Sequence, residues 1–408
     1  MSNVMDGVRI LEVAEHTFVP AASAILSDWG AEVIKIEHVE RGDAMRGLAS
    51  TGMGIFGTDV HVLLEHSNRG KKSLALDLTT PEGRDIVYRL AATADVFLTN
   101  KMPGVRTKLQ IDVDDIRAHN PRIIYVRGSG YGVRGPDADA GGYDSLGYWY
   151  RGGSAMGAAP PGASPSLAMP GPAYGDSIGA MTIAGGISAA LFHREHTGET
   201  DIVDVSLLST GVWAMGGAVA LSQQMNIPWR GMPAGTMYPP NNPLTGIYPT
   251  ADGKFLAFSM LQGSHYWPEV CTRLGLDEYA EDSRFADNES LAKHSAVAYD
   301  LVAAVVVQRT LAEWKVILYG MKGQWAPVQD TLDLETDPQV VANGYVQALE
   351  TRTGKPYTLA STPVQFNGAP SPIGRAPDFN EHGDEILTEE LGIDWDTIID
   401  WKVRGIVA

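Results

Sequence analysis

An α/β fold is what the sequence predicts, and three observations carry that expectation. Short apolar runs rich in β-branched residues alternate with helix-length segments from residue 8 to Gly128, the pattern of a parallel sheet covered by helices. Beyond Gly141 the chain turns to glycine, alanine and proline, ahead of an apolar segment that starts near Asp176. After residue 226 the pattern changes again, to a hairpin signature. The 408 residues exceed one typical domain. The expected division is 1–225 for a large domain, 226–320 for a small α+β domain and 321–408 for a segment that returns to the first.

Each element has a local reason. Residues 8–13 (VRILEV) form a strand through their apolar, β-branched content. A helix is expected over 20–29, with Pro20 in its first turn and Gly30 ending it, followed by the strand 31–37 (AEVIKIE). Next come strand 73–78 (SLALDL), a helix capped at Thr80-Pro81 that runs to about Ala94, and strands 95–99 (DVFLT) and 122–128 (RIIYVRG). The loop GAAPPGASPSLAMPGP precedes a buried helix over 176–195, whose Gly185-Gly186 pair permits close packing. Residues 200–208 (TDIVDVSLL) give one more strand, turning into a helix. In the small domain, 246–261 (GIYPTADGKFLAFSML) predicts a hairpin turning at Ala251-Asp252-Gly253, because Asp-Gly takes hairpin-turn conformations readily.

Charge and cysteine content exclude several function classes. The 31 basic and 49 acidic residues leave a net charge of −18, which opposes nucleic acids and anionic membranes as partners. A single cysteine, Cys271, rules out an intrachain disulfide and a cysteine-held metal cluster. No early run has the order of a signal peptide. No stretch nears the ~20 uninterrupted apolar residues of a spanning helix. A cytoplasmic protein is expected.

Most short motifs fail on spacing. GSGYGVRG (128–135) follows a strand, but Val133 stands where a dinucleotide-binding turn needs its third glycine, and the first strand leads into the glycine-free AEHTFVP. HREH (193–196) spaces two imidazoles at i and i+3 with no evident third ligand, so a solvated helix end is expected there and no metal site. GYDSLG misses the Gly-x-Ser-x-Gly elbow. In NRGKKSLALDL, Arg69, Lys71 and Lys72 precede a strand. They are either an exposed basic turn or, if they converge with Arg46, Lys101 and Lys108, a polyphosphate site. Asp176 has two readings that do not exclude each other. It is a helix N-cap, or a reactive carboxylate beside free helix N–H groups that stabilise charge, with Gly175 and Gly179 leaving room for a bulky substrate.

Taken in order, MDGVRILEVAEHTFVPAASAILSDWGAEVIKIE, NRGKKSLALDL, DVFLTNKMPG, GYGVRGPDADAGGYDSLGYW, GPAYGDSIGAMTIAGG and DIVDVSLLSTG resemble the class III coenzyme A transferases. This is the CaiB/BaiF type, which includes formyl-CoA transferase and carnitine CoA-transferase. The likeness runs almost end to end, fades in the small domain and resumes at APDFNEHGDEILTEELG, where Asn380 replaces a glycine. The resemblance implies a Rossmann-like large domain built from both chain ends, a smaller α+β domain, and an interlocked, ring-like homodimer. It also implies an acyl-CoA:carboxylate CoA-transferase with Asp176 as nucleophile, a carboxylate being anionic at neutral pH without a helper base. Coenzyme A or acyl-CoA and carboxylic acids are then substrates, with no tightly bound cofactor and no metal.

For coenzyme A, the resemblance implies contacts from Thr17 and Phe18 to the pantetheine and thiol end, and from His38 to the nucleotide in place of a more basic residue. Lys71 is implied at a phosphate, and Asn100, Lys101 and Lys108 at the adenosine and phosphates. Tyr143, counted among the same contacts, stands where the related α-methylacyl-CoA racemases carry the histidine of their G-H-D motif. Tyrosine, with a pKa near ~10, exchanges protons poorly at neutral pH. A transferase is therefore expected over a racemase-like enzyme or a non-catalytic acyl-CoA-binding protein. LQGSHYW (261–267) replaces a glycine run of formyl-CoA transferase with bulkier residues, implying an acid larger than formate or oxalate.

Overall fold

The computed structural model describes residues 3–51, 60–165, 168–231 and 241–408. The chain divides into two compact units, Met1–Gly231 with Val341–Ala408, and Met232–Val340.

The first unit is built on a six-stranded sheet of order β3-β2-β1-β4-β5-β6, with every pairing parallel. Its strands are β1 (Arg9–Val13), β2 (Glu32–His38), β3 (Lys72–Leu76), β4 (Val96–Thr99), β5 (Ile124–Ser129) and β6 (Ile202–Ser206). The helices between them are α1 (Phe18–Asp28), α2 (Val62–Asn68), α3 (Pro81–Ala91), α4 (Pro103–Leu109), α5 (Val113–Arg117), α6 (Ser154–Gly157) and α7 (Tyr174–Thr197). α8 (Leu207–Ala214) and α9 (Gly216–Met225) follow β6.

The strands read as continuous apolar runs because both faces of the sheet are covered. Ile10, Val96, Leu98, Ile124 and Val126 share a core with α1 and α7. Leu11, Ile34, Leu74, Phe97 and Tyr125 share the opposite core with α3 and with Ile386, Leu387, Ile398 and Ile406 from the chain end. That end is tied to the β3 edge, where the Asp77 N–H donates to the Ile406 carbonyl at 2.9 Å and Asn380 Oδ1 accepts the Ala75 N–H at 2.9 Å. Locally, α1 starts at Phe18, so Pro20 sits in the first turn, where its missing N–H leaves no bond unmade. Thr80 caps α3 by accepting the Gly83 N–H at 3.1 Å; the helix stops at Ala91, short of the expected Ala94. Among the described residues α7 is the one helix long and apolar enough to cross a bilayer. Here its Ala180, Ile183, Ala184 and Ile187 are buried in the core beside the sheet. The antiparallel pair β10 (Val346–Glu350) and β11 (Pro356–Ala360) also belongs to this unit.

In the second unit, β7 (Ile247–Pro249), β8 (Phe255–Phe258) and β9 (Trp325–Val328) form an antiparallel sheet. The turn expected at Asp252-Gly253 is there, with Gly253 at φ 73°. Helices α10 (Gly263–Leu274), α11 (Asn288–Lys293), α12 (Ser295–Val306) and α13 (Leu311–Ile317) share one core with this sheet. Trp267 and Trp314 are its largest buried side chains, and each indole N–H reaches a backbone carbonyl, of Tyr279 at 2.9 Å and Val306 at 2.8 Å. The unit boundaries, at 231 and 340, differ from the expected 225 and 320. The second difference has a physical reason: β9 supplies the third strand, without which the β7–β8 hairpin is only marginally stable.

Candidate active site

The strand order reverses between β1 and β4. In open α/β sheets the crevice beyond the carboxyl ends of the strands at such a reversal is where ligands bind. A cavity of about 650 Å³ lies there, lined by the loops after β1, β2, β4 and β5 and by Asp176, within the range of small-molecule sites.

The α7 N-terminus is capped from a distance. Ala173 precedes the helix in the left-handed region, at φ 57°, and makes no side-chain cap. Asp144 takes that role, its Oδ2 accepting the Gly175 N–H at 3.0 Å. Asp176 is the third residue of the helix, so the N-cap reading of Asp176 is corrected. Gly175 and Gly179 also serve differently from the expectation. A Cβ on Gly175 would lie 2.3 Å from Asp144 Oδ1 and from the Tyr148 ring, and one on Gly179 would lie 2.3 Å from the Phe18 ring. These glycines admit neighbouring side chains of the fold and do not open space for substrate.

The electrostatics of the turn follow from this packing. Loss of water, then the Asp144 charge, push the Asp176 carboxyl up to about 7, and among the described residues no donor bonds to it. It is therefore not the fully ionised group that the sequence implied at neutral pH. Burial also pushes Asp144 upward, against the facing amides of Asp176 and Gly175, and among the described residues its buried Oδ1 has no hydrogen-bond partner. Two carboxyl groups at one site titrate as a pair. Beside them, His66 Nε2 lies 3.3 Å from Ser177 Oγ, which donates to the Ala173 carbonyl. Burial, then Arg69, push this imidazole down to about 4, so it is neutral at pH 7.

Of the residues named for coenzyme A, Phe18, Asn100, Lys101 and Tyr143 line the cavity with Asp176. Tyr143 is 64% exposed and meets His16 edge-on, with ring centroids 5.6 Å apart. Asn100 knits two loops, accepting the Glu15 N–H at 3.1 Å and donating to the Glu15 carbonyl at 2.6 Å. Lys101 pairs with the Glu15 carboxylate. Thr17, His38, Lys71 and Lys108 do not line the cavity. Thr17 is buried ahead of α1. His38 Nδ1 accepts the Glu40 N–H at 3.2 Å, and Lys108 is exposed on α4.

Lys71 is the plainest correction. Its ammonium points inward, donating to Glu12 Oε2 at 2.7 Å, the Pro20 carbonyl at 2.8 Å and Asn68 Oδ1 at 3.0 Å. No phosphate reaches a side chain with 0% exposure. Its expected neighbours are committed too: Arg69 to Asp28, Lys72 to Glu32 and Glu385, and Arg46 to Glu37. The polyphosphate cluster drawn from these cations therefore does not form. In HREH, His193 bonds Asp201 at 2.8 Å and His196 turns to the Phe192 carbonyl. Among the described residues no three metal-ligating side chains are grouped to hold an ion.

Sequence reasoning missed His16 and Arg41 and gave Asp144 no task, although all three line the cavity. His16 sits at φ 68°, its N–H held by Asp43 Oδ1 at 3.1 Å. The signal for Arg41 was topological: it follows β2, the neighbour of β1 on the side away from β4.

Comparison with known proteins agrees with this geometry. The model of CoA-transferase family III matches residues 5–383. The chain is 30% identical to (R)-2-hydroxy-4-methylpentanoate CoA-transferase of Clostridioides difficile, over 99% of each chain. It is 29% identical to cinnamoyl-CoA:phenyllactate CoA-transferase of Clostridium sporogenes, over 95% of this chain and 93% of that one. Among solved structures, a CaiB/BaiF family protein from Brucella suis superposes with a TM-score of 0.79 at 28% identity, covering 95% of this chain and 100% of that one. A match across nearly the whole sequence makes this chain a member of CoA-transferase family III and an enzyme that transfers coenzyme A, a sulfur-containing group.

Proposed function

We propose that the chain moves coenzyme A from a donor acyl-CoA to an acceptor carboxylic acid by covalent catalysis at Asp176. The observation that supports this most directly is the Asp176 carboxyl on the cavity wall, largely withdrawn from water and, among the described residues, free of hydrogen-bond donors. Such a group, once ionised, is a stronger nucleophile than a solvated carboxylate. Its oxygen attacks the thioester carbonyl of the donor, the C–S bond breaks, and coenzyme A leaves as thiolate from an acyl–aspartyl anhydride. The thiolate then attacks the aspartyl carbonyl, forming an aspartyl thioester and releasing the donor acid as carboxylate. The acceptor carboxylate attacks that thioester, giving a second anhydride and thiolate. Thiolate attack on the acceptor carbonyl yields the new acyl-CoA and restores Asp176. Every bond broken is replaced by one of similar energy, so no ATP is needed.

Phe18, Asn100, Lys101 and Tyr143 are the residues we place against coenzyme A. For the acid, we place first the 2-hydroxy acids that the two clostridial relatives carry in their names, ahead of formate and oxalate. Two protomers form an interlocked homodimer. The apolar side chains that the single chain leaves uncovered on and after α8 and α9, Trp213 at 83%, Met225 at 60% and Ile227 at 59% exposure, support a subunit contact there.

The test is hydroxylamine trapping during turnover with an acyl-CoA and a labelled 2-hydroxy acid. Mass analysis should find a hydroxamate at Asp176, and Asp176→Ala should neither trap nor transfer. Transfer by the alanine variant at the wild-type rate would remove the nucleophile. Deuterium uptake at the α-carbon without transfer would favour the racemase-like alternative.

A further inference from the structure

Four cations line the cavity: Arg41, Lys101, Arg106 and Arg127. Three of them are already neutralised. Lys101 holds Glu15, Arg106 holds Asp112 at 3.2 Å and the Lys101 carbonyl at 2.8 Å, and Arg127 grips both oxygens of Asp204, at 2.6 and 2.9 Å. Arg41 is exposed and makes no hydrogen bond or ion pair among the described residues. It helps to keep Glu15 ionised, but that carboxylate is bonded to Lys101. An unpaired guanidinium in a ligand cavity of so acidic a chain is a binding group awaiting an anion.

The position of Arg41 says which anion. The sheet order β3-β2-β1-β4-β5-β6 is that of dinucleotide-binding sheets, in which the end of the second strand flanks the adenosine ribose and an arginine there receives a ribose phosphate. Arg41 follows β2, which ends at His38. Coenzyme A differs from its dephospho form by one phosphate on that ribose, at the 3′ position. We infer that Arg41 binds the 3′-phosphate and is the residue by which this enzyme tells coenzyme A from 3′-dephospho-coenzyme A. The inference rests on the transferase reading of the cavity, and it moves the nucleotide contact expected at His38 three residues along the chain.

The experiment compares initial rates for an acyl-CoA and the same acyl-3′-dephospho-CoA with wild type, Arg41→Ala and Arg41→Lys. Wild type should lose about tenfold to hundredfold in kcat/KM when the 3′-phosphate is absent, the worth of a hydrogen bond to a charged group. Arg41→Ala should lose as much with the full donor, through KM, and nothing more with the dephospho donor. Arg41→Lys should fall between, and the wild-type preference should shrink as salt rises. Retention of the full preference by Arg41→Ala, or no preference in wild type, overturns the inference. Absence of any transfer by wild type strikes instead at the transferase reading. If the alanine variant does not fold, titration calorimetry of coenzyme A and its dephospho form on wild type and Arg41→Lys gives the same comparison.

Discussion

In the proposed mechanism the Asp176 carboxyl attacks a thioester only as its anion, so its environment sets a kinetic pH dependence. With the group pushed up to about 7, kcat/KM should climb along an acid limb centred near that pH. Asp144→Asn removes the like charge while its amide oxygen still accepts the Gly175 N–H, so the limb should move to lower pH; an unmoved limb would mean that Asp144 does not act on Asp176 through charge. The same elevation has a thermodynamic sign. The unfolded side chain releases its proton near 3.8, whereas the folded one keeps it until about 7. Stability from this group is thus complete below the unfolded value and is lost as pH rises through the folded one. Asp176→Asn should be inactive yet more stable than wild type at pH 8, by roughly 1–3 kcal/mol given its partial exposure, and no more stable below pH 4. Urea denaturation at the two pH values measures this. Asp176 was legible in the sequence through its motif. Its environment was not, because the burial that chiefly raises it and the Asp144 charge that adds to this are brought together only by the fold, Asp144 coming from the start of the helical turn Ser145–Tyr150.

Between elements, a buried ionic cluster holds the strand ends that shape the cavity. Glu12 on β1 lies 2.7 Å from Lys35 on β2 and 2.7 Å from Lys71 just before β3, and Lys35 is 2.7 Å from Asp43, with no side-chain surface exposed. Asp43 in turn holds the His16 N–H, so the cluster positions a cavity loop. Against the cost of burial, Lys35 and Lys71 keep Glu12 down to about 2, while burial pushes Lys71 down to about 7 despite Glu12. Glu12→Gln strands the buried Lys71 ammonium and leaves Lys35 only Asp43 as its paired carboxylate, and should cost about 3–5 kcal/mol. Lys71→Met leaves the Glu12–Lys35 pair intact and should cost less than half as much in the same denaturation experiment. Its KM for acyl-CoA should match wild type; a several-fold rise would return Lys71 to the phosphate site. The sequence could not separate these roles. Arg69, Lys71 and Lys72 are legible as cations, but in a chain with 49 acidic residues their partners, Asp28, Glu12 and Glu32, are assembled only by the fold.

Across the whole molecule, the parallel strands were legible because crossover strands buried on both faces must be apolar along their length. β9 was not, since Trp325–Val328 takes its place by pairing with Phe255–Phe258 far back in the chain, and no local pattern announces such a partner. The proposed interlocked homodimer adds a constraint that a single chain does not display. Two surface-contact protomers exchange partners by dissociation, at a rate set by their interface. Two threaded chains cannot part until at least one has unfolded. Differently tagged dimers, mixed and diluted under native conditions, should therefore remain unmixed by native mass spectrometry, and should form hybrids only after passage through denaturing urea and refolding. Trp213→Glu, placed on the exposed apolar surface, should lower the yield of refolded dimer without speeding native exchange. Rapid mixing of native dimers would instead indicate protomers that merely touch, and a solution mass of one chain would leave that apolar surface without a second copy to cover it.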